Sequence, residues 1–282
     1  MAKITISRNL MSNYPPAYVL HIPHASTHIP EDLRPDILLP SEDLEQELLA
    51  LTDRYTDQLF ALPPGNAATI QFPVSRLIVD PERFIDDAAE PMAARGMGAI
   101  YTRGSKGQIL RRAPSPEERA RLLARFYEPH HRALSEAVEA AIKAWGYCLI
   151  FDCHSFPSRP LPYEPDQRPD RPDICFGTDP FHTPERVLDV SDGLFTRAGY
   201  RAALNQPYAG ALVPATHFRR DDRVLAIMVE LNRSLYMDEE TGERLPGFHA
   251  LSSRIHGLLA GIAIVAPPPA PHRPSRDLPS RD

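Results

Sequence analysis

Short apolar runs alternate along this chain with longer stretches in which apolar residues recur every three or four positions. The short runs predict β-strands at residues 18–22, 68–72, 76–80, 147–151, 173–176 and 224–231. Helical spacing occurs at residues 44–62, 134–145 and 248–265, and further helices are predicted to begin near residues 116 and 184. Strands that alternate with helices of this length indicate a sheet covered by helices.

Local signals define several helix ends. Ser115, followed by Pro116 and by Glu118 three residues after it, has the pattern of a capping box with proline in the first turn. Pro129 is expected to kink or interrupt the helix that follows. Gly146 can adopt the left-handed conformation that ends a helix.

These elements predict a single α/β domain with a mixed, mostly parallel sheet and helices on both faces. We assign residues 1–266 to this domain. Residues 267–282 contain six prolines and are expected to form a disordered tail. A second proline-rich segment, residues 157–173, follows a central strand, where open α/β sheets place their ligand sites.

Composition narrows the class of protein. A hydrophobic content of 43% in 282 residues supplies a sizeable core, and a net charge of −6 makes nucleic acid an unsuitable partner. No run has the length of a membrane span, and the N-terminus lacks a signal-peptide pattern, so we expect a soluble cytoplasmic protein that does not bind membranes. Its oligomeric state is left open. Cys148, Cys153 and Cys175 lack metal-site spacing and are expected to be buried free thiols.

Polar residues with catalytic potential lie where predicted strands end. His24 follows the first strand, Asp152 and His154 follow the run 147–151, and Glu230 interrupts an apolar run. Because the ends of parallel strands meet at one edge, we expect these side chains to converge. A buried Glu230 requires a cation, which is either a functional ion or a structural partner such as Arg233.

Two histidines at strand ends favour a metal site, although each could also be an ordinary structural histidine. Strand alternation puts Asp152 and His154 on one side and Cys153 on the other, so Asp152 could orient His154. Asp53 and Asp57 lie one helical turn apart, which is also the pattern of a solvated helix face.

Two further groups are candidates for binding a substrate. Arg76 and Arg83 flank a predicted strand and could bind a carboxylate or form structural ion pairs. The turn-rich stretch 205–210, with Asn205, Tyr208 and Gly210, could approach a ligand closely or be an ordinary loop.

Taken together, these segments resemble the N-formylglutamate amidohydrolase family, relatives of the zinc carboxypeptidases and of aspartoacylase-like deacylases. Each short motif is weak, but the ordered set is specific. The matching segments are HIPHAS at 21–26, IP at 29–30, LTDRYTDQL at 51–59, RLIVDPER at 76–83, DCHS at 152–155, NQPYAG at 205–210 and VELNR at 229–233. The resemblance implies a carboxypeptidase-like fold, a divalent metal such as zinc, and a role in histidine degradation.

The resemblance also implies residue roles. His24 and His154 would be metal ligands, and Glu230 would be the catalytic glutamate. The carboxypeptidases take a ligand from a His-x-x-Glu motif, but position 27 is Thr here, so Asp53 is our choice for the carboxylate ligand. The family pattern usually has Asn where this chain has Glu82, and we expect that carboxylate to occupy part of the Arg83 fork.

The sequence therefore predicts a metal-dependent amidohydrolase that cleaves the formamide of N-formylglutamate or of a close, acidic N-acyl amino acid. Arg76 and Arg83 would bind substrate carboxylates, and Asn205, Tyr208 and Gly210 would complete the pocket. The alternatives are a related deacylase or a small carboxypeptidase-like amidase on another substrate, and a non-catalytic protein that binds a metabolite.

Overall fold

The computed structural model describes residues 17–62 and 67–265, which form a mixed α/β fold. Within them, six strands form one sheet in the order β2-β1-β3-β6-β4-β5. All neighbouring strands are parallel except β4 and β6, which are antiparallel. The strands are β1 Tyr18–Ile22, β2 Ala68–Gln71, β3 Cys148–Phe156, β4 Ile174–Gly177, β5 Ala202–Leu204 and β6 Val224–Asn232.

Helices cover both faces of the sheet. They are α1 Ser41–Leu51, α2 Thr56–Leu59, α3 Pro116–Leu122, α4 Glu128–Trp145, α5 Glu185–Arg197 and α6 Phe248–Val265. Side chains alternate along each strand, so Phe151 and Cys153 of β3 pack with buried residues of α5 and α6, whereas Ile150 packs with α4. This burial on both faces explains why the central strands have nearly continuous apolar sequences.

The structure confirms the predicted fold class and most of the elements. The capping box at Ser115 is present, and Gly146 has the left-handed φ of 79° that ends α4. A π-helical turn, Leu123–Tyr127, ends two residues before Pro129, and α4 continues through this proline. All three cysteines are buried and free, and burial raises the pKa of each thiol. The predicted tail at 267–282 lies outside the described residues.

Four features differ from the predicted elements. The helix predicted at 44–62 is interrupted after Leu51, and Tyr55 has a left-handed φ of 68°. The run 76–80 is a turn rather than a strand: the Ile78 N–H donates to the Ser75 carbonyl at 2.9 Å, and the Arg76 side chain binds Asp80. Strand β3 continues to Phe156, through the polar residues that were expected to follow it. The three-residue strand β5 is too short to leave a sequence pattern.

Helix α6 is long and apolar enough to cross a membrane by length and composition alone. It nevertheless carries a buried stripe that includes Leu251, Ile255, Leu259 and Ile262, and this stripe packs against the core. The core helix of a water-soluble domain satisfies the same criteria.

Candidate active site

Strand register brings four polar side chains to one face of the sheet. His21 of β1 pairs with Asp152 of β3, and His154 of β3 pairs with Glu230 of β6. The apolar part of this face is covered by α4 through Ala133, Leu134 and neighbouring residues. The polar positions lie nearer the carboxyl ends of the strands, where open α/β sheets bind ligands.

The break between α1 and α2 places Asp53 in the same cluster. The Asp53 N–H donates to the carbonyl of His24 at 3.0 Å, which ties the break to the loop after β1. Asp53 is almost completely buried. A continuous helix would have given this N–H an intrahelical partner, so the interruption accounts for the position of Asp53.

Two imidazoles converge on the Asp53 carboxylate. Asp53 Oδ2 lies 3.1 Å from His154 Nδ1 and 3.7 Å from His24 Nδ1. His24 Nδ1 is buried without a hydrogen-bond partner. Atoms bound to one metal at 2.0–2.2 Å are separated by about 2.9–3.6 Å, so the separations of these donor atoms are close to those of a metal site.

The opposite ring nitrogens of both histidines contact carboxylates. His24 Nε2 lies 2.9 Å from Asp80 Oδ1, and His154 Nε2 lies 3.1 Å from Asp152 Oδ1. Metal-binding histidines usually donate their second ring N–H to such a group, which fixes the ring and its tautomer. With their Nε2 atoms engaged, both histidines direct Nδ1 towards Asp53 Oδ2, which is the position of a potential metal ion.

Arginine side chains neutralise the negative charge of two of the carboxylates, Asp53 and Asp80. Arg233 Nη2 lies 3.0 Å from Asp53 Oδ1, and Arg76 binds Asp80 Oδ2 through Nη2 at 2.7 Å and Nε at 3.1 Å. Burial acts to raise the pKa of both carboxyls, but nearby histidines and arginines outweigh it and hold both pKa values below the ordinary range. Asp53 and Asp80 are therefore ionised at neutral pH.

Glu230 has the opposite environment. Burial raises its pKa to about 8, and the negative charges of Asp53 and Glu82 act in the same direction. Its Oε2 atom has no hydrogen-bond partner, and Arg233 pairs with Asp53 instead of with Glu230. Glu230 is thus a carboxyl group that can exchange a proton near neutral pH.

These groups open into a cavity of about 850 Å³. The polar lining includes His24, Asp53, Arg83, His154 and Glu230. Phe84, Ile85 and Phe218 supply exposed apolar surface to the same cavity. This size is within the range of small-molecule sites.

A sequence model described as N-formylglutamate amidohydrolase matches residues 17–237, most of the chain. The chain belongs to the N-formylglutamate amidohydrolase family. That range includes every residue of the cluster described above, so the family match and the candidate site coincide in sequence.

Curated relatives and solved structures agree with this membership. The chain is 30% identical over 233 residues to an N-formylglutamate deformylase of Pseudomonas aeruginosa, covering 79% of this chain and 82% of that one. It is 28% identical over 229 residues to an N-formylglutamate deformylase of Pseudomonas putida, covering 78% and 82%. The crystal structure of N-formylglutamate amidohydrolase from Ralstonia eutropha JMP134 superposes with a TM-score of 0.83 at 26% identity, covering 94% of this chain and 99% of that one.

A more distant structure shares the fold alone. The gene product Atu2144 from Agrobacterium tumefaciens has a TM-score of 0.62 at 21% identity, covering 89% of this chain and 91% of that one.

Four of the five residues predicted to bind a substrate line the cavity, and one does not. Arg76, Arg83, Tyr208 and Gly210 line the cavity. Asn205 does not line it. Its side-chain oxygen accepts the Thr178 N–H, and its side-chain N–H donates to the Thr178 hydroxyl, at 2.9 Å each. Asn205 therefore holds the start of the 205–212 loop in place.

The two arginines of the cavity differ in availability. The Arg76 fork is occupied by Asp80, as described above. Arg83 is held more loosely: its Nε atom has no hydrogen-bond partner and lies 3.6 Å from Asp80 Oδ2, and its Nη1 atom is 3.5 Å from Glu90 Oε1. Arg83 is thus the cation that is more available to a substrate carboxylate.

Glu82 does not occupy the Arg83 fork, contrary to our expectation from the sequence. Its Oε1 atom lies 3.2 Å from His154 Nε2, and its Oε2 atom lies 3.8 Å from His24 Nδ1. The turn at 76–80 produces this arrangement, because the Glu82 N–H donates to Asp80 Oδ1 at 3.0 Å. His24, Glu82 and His154 form one group of potential metal ligands.

Sequence reasoning missed several members of the cluster. His21 stands out in the sequence only within the HIPHAS motif, yet its Nδ1 atom lies 2.8 Å from Asp152 Oδ1. Asp80 likewise stands out only within the RLIVDPER segment. Strand alternation indicates His21, since it shares a face with Val19 and with the polar residues of β3. His130 of α4, whose Nε2 atom lies 2.8 Å from His21 Nε2, has no comparable sequence signal.

Proposed function

We propose that this protein is a metal-dependent amidohydrolase that cleaves the formamide bond of N-formylglutamate or of a close N-acyl amino acid. The observation that carries the proposal is the convergence of two Nδ1 atoms on Asp53 beside Glu230, in one cavity. The names of the two Pseudomonas relatives support the same substrate.

His24, Asp53 and His154 would hold the metal. The partnerless, buried Nδ1 atom of His24 supports this assignment, because such an atom is costly unless a ligand satisfies it. Glu82 is a second carboxylate within reach of both histidines. When bound, a divalent ion such as zinc supplies positive charge for the oxyanion and lowers the pKa of water towards about 7.

Glu230 acts as the general base in this mechanism. It takes a proton from the water that attacks the formyl carbon, and it passes that proton to the amine nitrogen as the C–N bond breaks. The products are formate and the free amino acid. A protein that only binds a metabolite would not need a buried, unpaired carboxyl at this position, so Glu230 favours an enzyme over the binding alternative.

Substrate recognition falls mainly to Arg83. Its guanidinium can bind a carboxylate of the substrate, whereas Arg76 acts indirectly by holding Asp80 against His24. Tyr208 and the Gly210 backbone form another wall of the cavity. We further propose a cytoplasmic enzyme, and a role in histidine degradation in line with its substrate class.

Metal analysis and a formate-release assay test this proposal. The purified protein should contain zinc or a similar divalent ion and should release formate from N-formylglutamate. His154→Ala removes one of three ligands, so its metal affinity should fall steeply, whereas a variant of the exposed His28, His28→Ala, should keep both metal and activity. Full metal occupancy in His154→Ala would refute the ligand assignment, and an absence of formate release across N-formyl amino acids would refute the activity.

A further inference from the structure

Glu82 is surrounded by three imidazoles. Its Oε1 atom lies 3.2 Å from His154 Nε2 and 3.7 Å from His21 Nδ1, and its Oε2 atom lies 3.8 Å from His24 Nδ1. The two oxygens of one carboxylate therefore face histidines on different sides. A carboxylate that bridges two metal ions about 3.5–4 Å apart presents its oxygens in this way.

A second group of potential ligands lies beside the first. His21 Nδ1 is 2.8 Å from Asp152 Oδ1, and one donor atom from each of His21, Asp152 and Glu82 lies within 4.8 Å of the other two. Metal ligands at 2.0–2.2 Å from an ion are about 2.9–3.6 Å apart, so small side-chain adjustments would bring these atoms onto one ion. His21 is completely buried and Asp152 nearly so.

Both residues have partners that would orient them as ligands. His21 Nε2 lies 2.8 Å from His130 Nε2, so an N–H on His21 Nε2 can donate to His130 and leave Nδ1 free. Asp152 Oδ2 accepts the Leu212 N–H at 2.8 Å, which directs Oδ1 towards His21. His21 therefore has its Nε2 atom engaged, as His24 and His154 do, but by an imidazole instead of a carboxylate, and Asp152 Oδ1 also lies 3.1 Å from His154 Nε2.

The local charge leaves room for a second cation. Arg76 and Arg233 are already paired with other carboxylates, as described above. In the described part of the chain, the carboxylates of Glu82 and Asp152 have imidazoles as their only ion-pair partners, and Glu230 Oε2 is unpartnered. Buried carboxylates need positive charge nearby, and two divalent ions with an anionic substrate would balance them.

We propose that His21, Asp152 and Glu82 form a second divalent cation site, with the Glu82 carboxylate shared between this site and the one at His24 and His154. Imidazole and carboxylate ligands suit Zn²⁺ and Mn²⁺. The second site stands on its own residues, whereas the shared role of Glu82 rests on the proposed function.

The test is the metal stoichiometry of chelator-stripped protein titrated with Zn²⁺, followed by metal analysis after desalting. Wild-type protein should bind two ions per chain. His21→Gln should bind one, and Glu82→Gln should weaken the second ion by on the order of tenfold or more. His249→Gln is the control, because His249 is an exposed histidine of α6, and this variant should bind two ions.

Each outcome separates the second site from the first. One ion per chain in wild type, lost in His154→Ala, would overturn the second site and leave the proposed function intact. Two ions in both wild type and His21→Gln would place the second ion elsewhere and overturn the proposal. If His21→Gln fails to fold, as judged by circular dichroism, Glu82→Gln provides the test instead, because Glu82 is partly exposed. Unchanged affinities for both ions in Glu82→Gln would contradict the second site.

The shared carboxylate has a separate signature. Two Mn²⁺ ions joined by one carboxylate give an exchange-coupled electron paramagnetic resonance spectrum, whereas isolated ions do not. Wild-type protein loaded with Mn²⁺ should show the coupled spectrum, and Glu82→Gln should lose it. A spectrum of uncoupled ions in a doubly loaded wild type would overturn the bridge.

Discussion

Glu230 combines a cost in stability with its proposed role in catalysis. Its side chain is buried and one of its oxygens has no partner, so ionisation in the folded protein is unfavourable and its pKa rises to about 8. In the unfolded chain the same carboxyl ionises near its ordinary pKa of 4.5. Active sites commonly retain such destabilising groups because the reaction needs them.

This difference predicts a pH-dependent effect of Glu230→Gln on the metal-free protein. Between about pH 4.5 and pH 8 the folded state holds a proton that the unfolded state has released, so the contribution of Glu230 to stability falls as pH rises. Glutamine at this position does not ionise, so its contribution to stability does not fall as pH rises. The variant should therefore gain little at pH 5 and gain on the order of a few kcal/mol at pH 8.

Thermal unfolding of chelator-treated proteins between pH 5 and pH 8 measures this gain. The exposed Glu240→Gln is the matched control and should track wild type at every pH. A Tm difference between Glu230→Gln and wild type that stays constant with pH would contradict the raised pKa.

The same substitution should abolish most of the activity. Gln has nearly the shape of Glu but cannot accept a proton, so formate release should fall by on the order of 10²–10⁴-fold while the metal content stays unchanged. If Glu230→Gln instead loses the metal and Asp53→Asn keeps it, Glu230 is the ligand and the two roles are exchanged.

Arg83 and Arg76 should differ in their effect on substrate choice. Arg83→Lys keeps the charge but loses the fork, so kcat/KM for N-formylglutamate should fall by roughly 10-fold or more relative to N-formylglutamine, which lacks the side-chain carboxylate. Arg76→Lys should reduce both substrates equally, because Arg76 acts through Asp80 and His24. Equal losses with both substrates in Arg83→Lys would show that Arg83 does not bind the side-chain carboxylate of the substrate.

The sequence could indicate which residue types gather here but not all of their pairings. His24, His154 and Glu230 could be proposed from their positions at strand ends. The partners of Glu82 could not be predicted, because they depend on how the chain turns at 76–80. Two neighbouring arginines and several imidazoles compete for the Glu82 carboxylate. A pairing of that kind follows from tertiary geometry, which local sequence does not encode.

At the scale of elements, periodicity predicted the long helices and buried strands correctly and failed where tertiary contacts decide. The apolar pattern at 44–62 continues through the break between α1 and α2, because Leu51 and Leu59 are both buried on either side of it. The N–H of Asp53 nevertheless bonds His24, and Thr56 Oγ1 donates to the Asp53 carbonyl at 2.8 Å. These contacts end one helix and begin another.

The approach of β4 to the 205–212 loop gives a prediction at this scale. A Cβ atom at Gly177 would lie 2.2 Å from the Gly210 carbonyl oxygen and 2.3 Å from Met228 Cε. Gly177→Ala should therefore displace the loop that donates the Leu212 N–H to Asp152. We expect a loss of stability of about 1–3 kcal/mol and a fall in activity.

Gly247→Ala is the matched control, since a Cβ atom there meets nothing within 4 Å. It should leave Tm and formate release close to those of wild type. Unchanged activity in a folded Gly177→Ala protein would show that the loop position does not govern the site.

At the scale of the whole molecule, the parallel sheet explains why residues far apart in sequence form one cluster. Residues of β1, β3 and β6 meet because these strands are neighbours and run in the same direction. The alternation of elements predicted this convergence and the α/β class. It could not predict the antiparallel β4, since strand direction within a mixed sheet depends on the connecting loops.

The domain boundary that we assign at residue 266 yields a prediction about the intact fold. The last buried residues of α6 are Ile262 and Ala263, whereas Ile264 and Val265 are 77% and 60% exposed. A chain that ends after residue 266 keeps all the buried α6 residues that the structure describes, so its Tm should match that of the full chain within about 2 °C and its formate release should be unchanged. A chain that ends after residue 258 loses Leu259 and Ile262, both completely buried, and should be destabilised by several kcal/mol. A clear drop in Tm for the first truncation would mean that residues 267–282 cover the exposed end of α6 and belong to the domain.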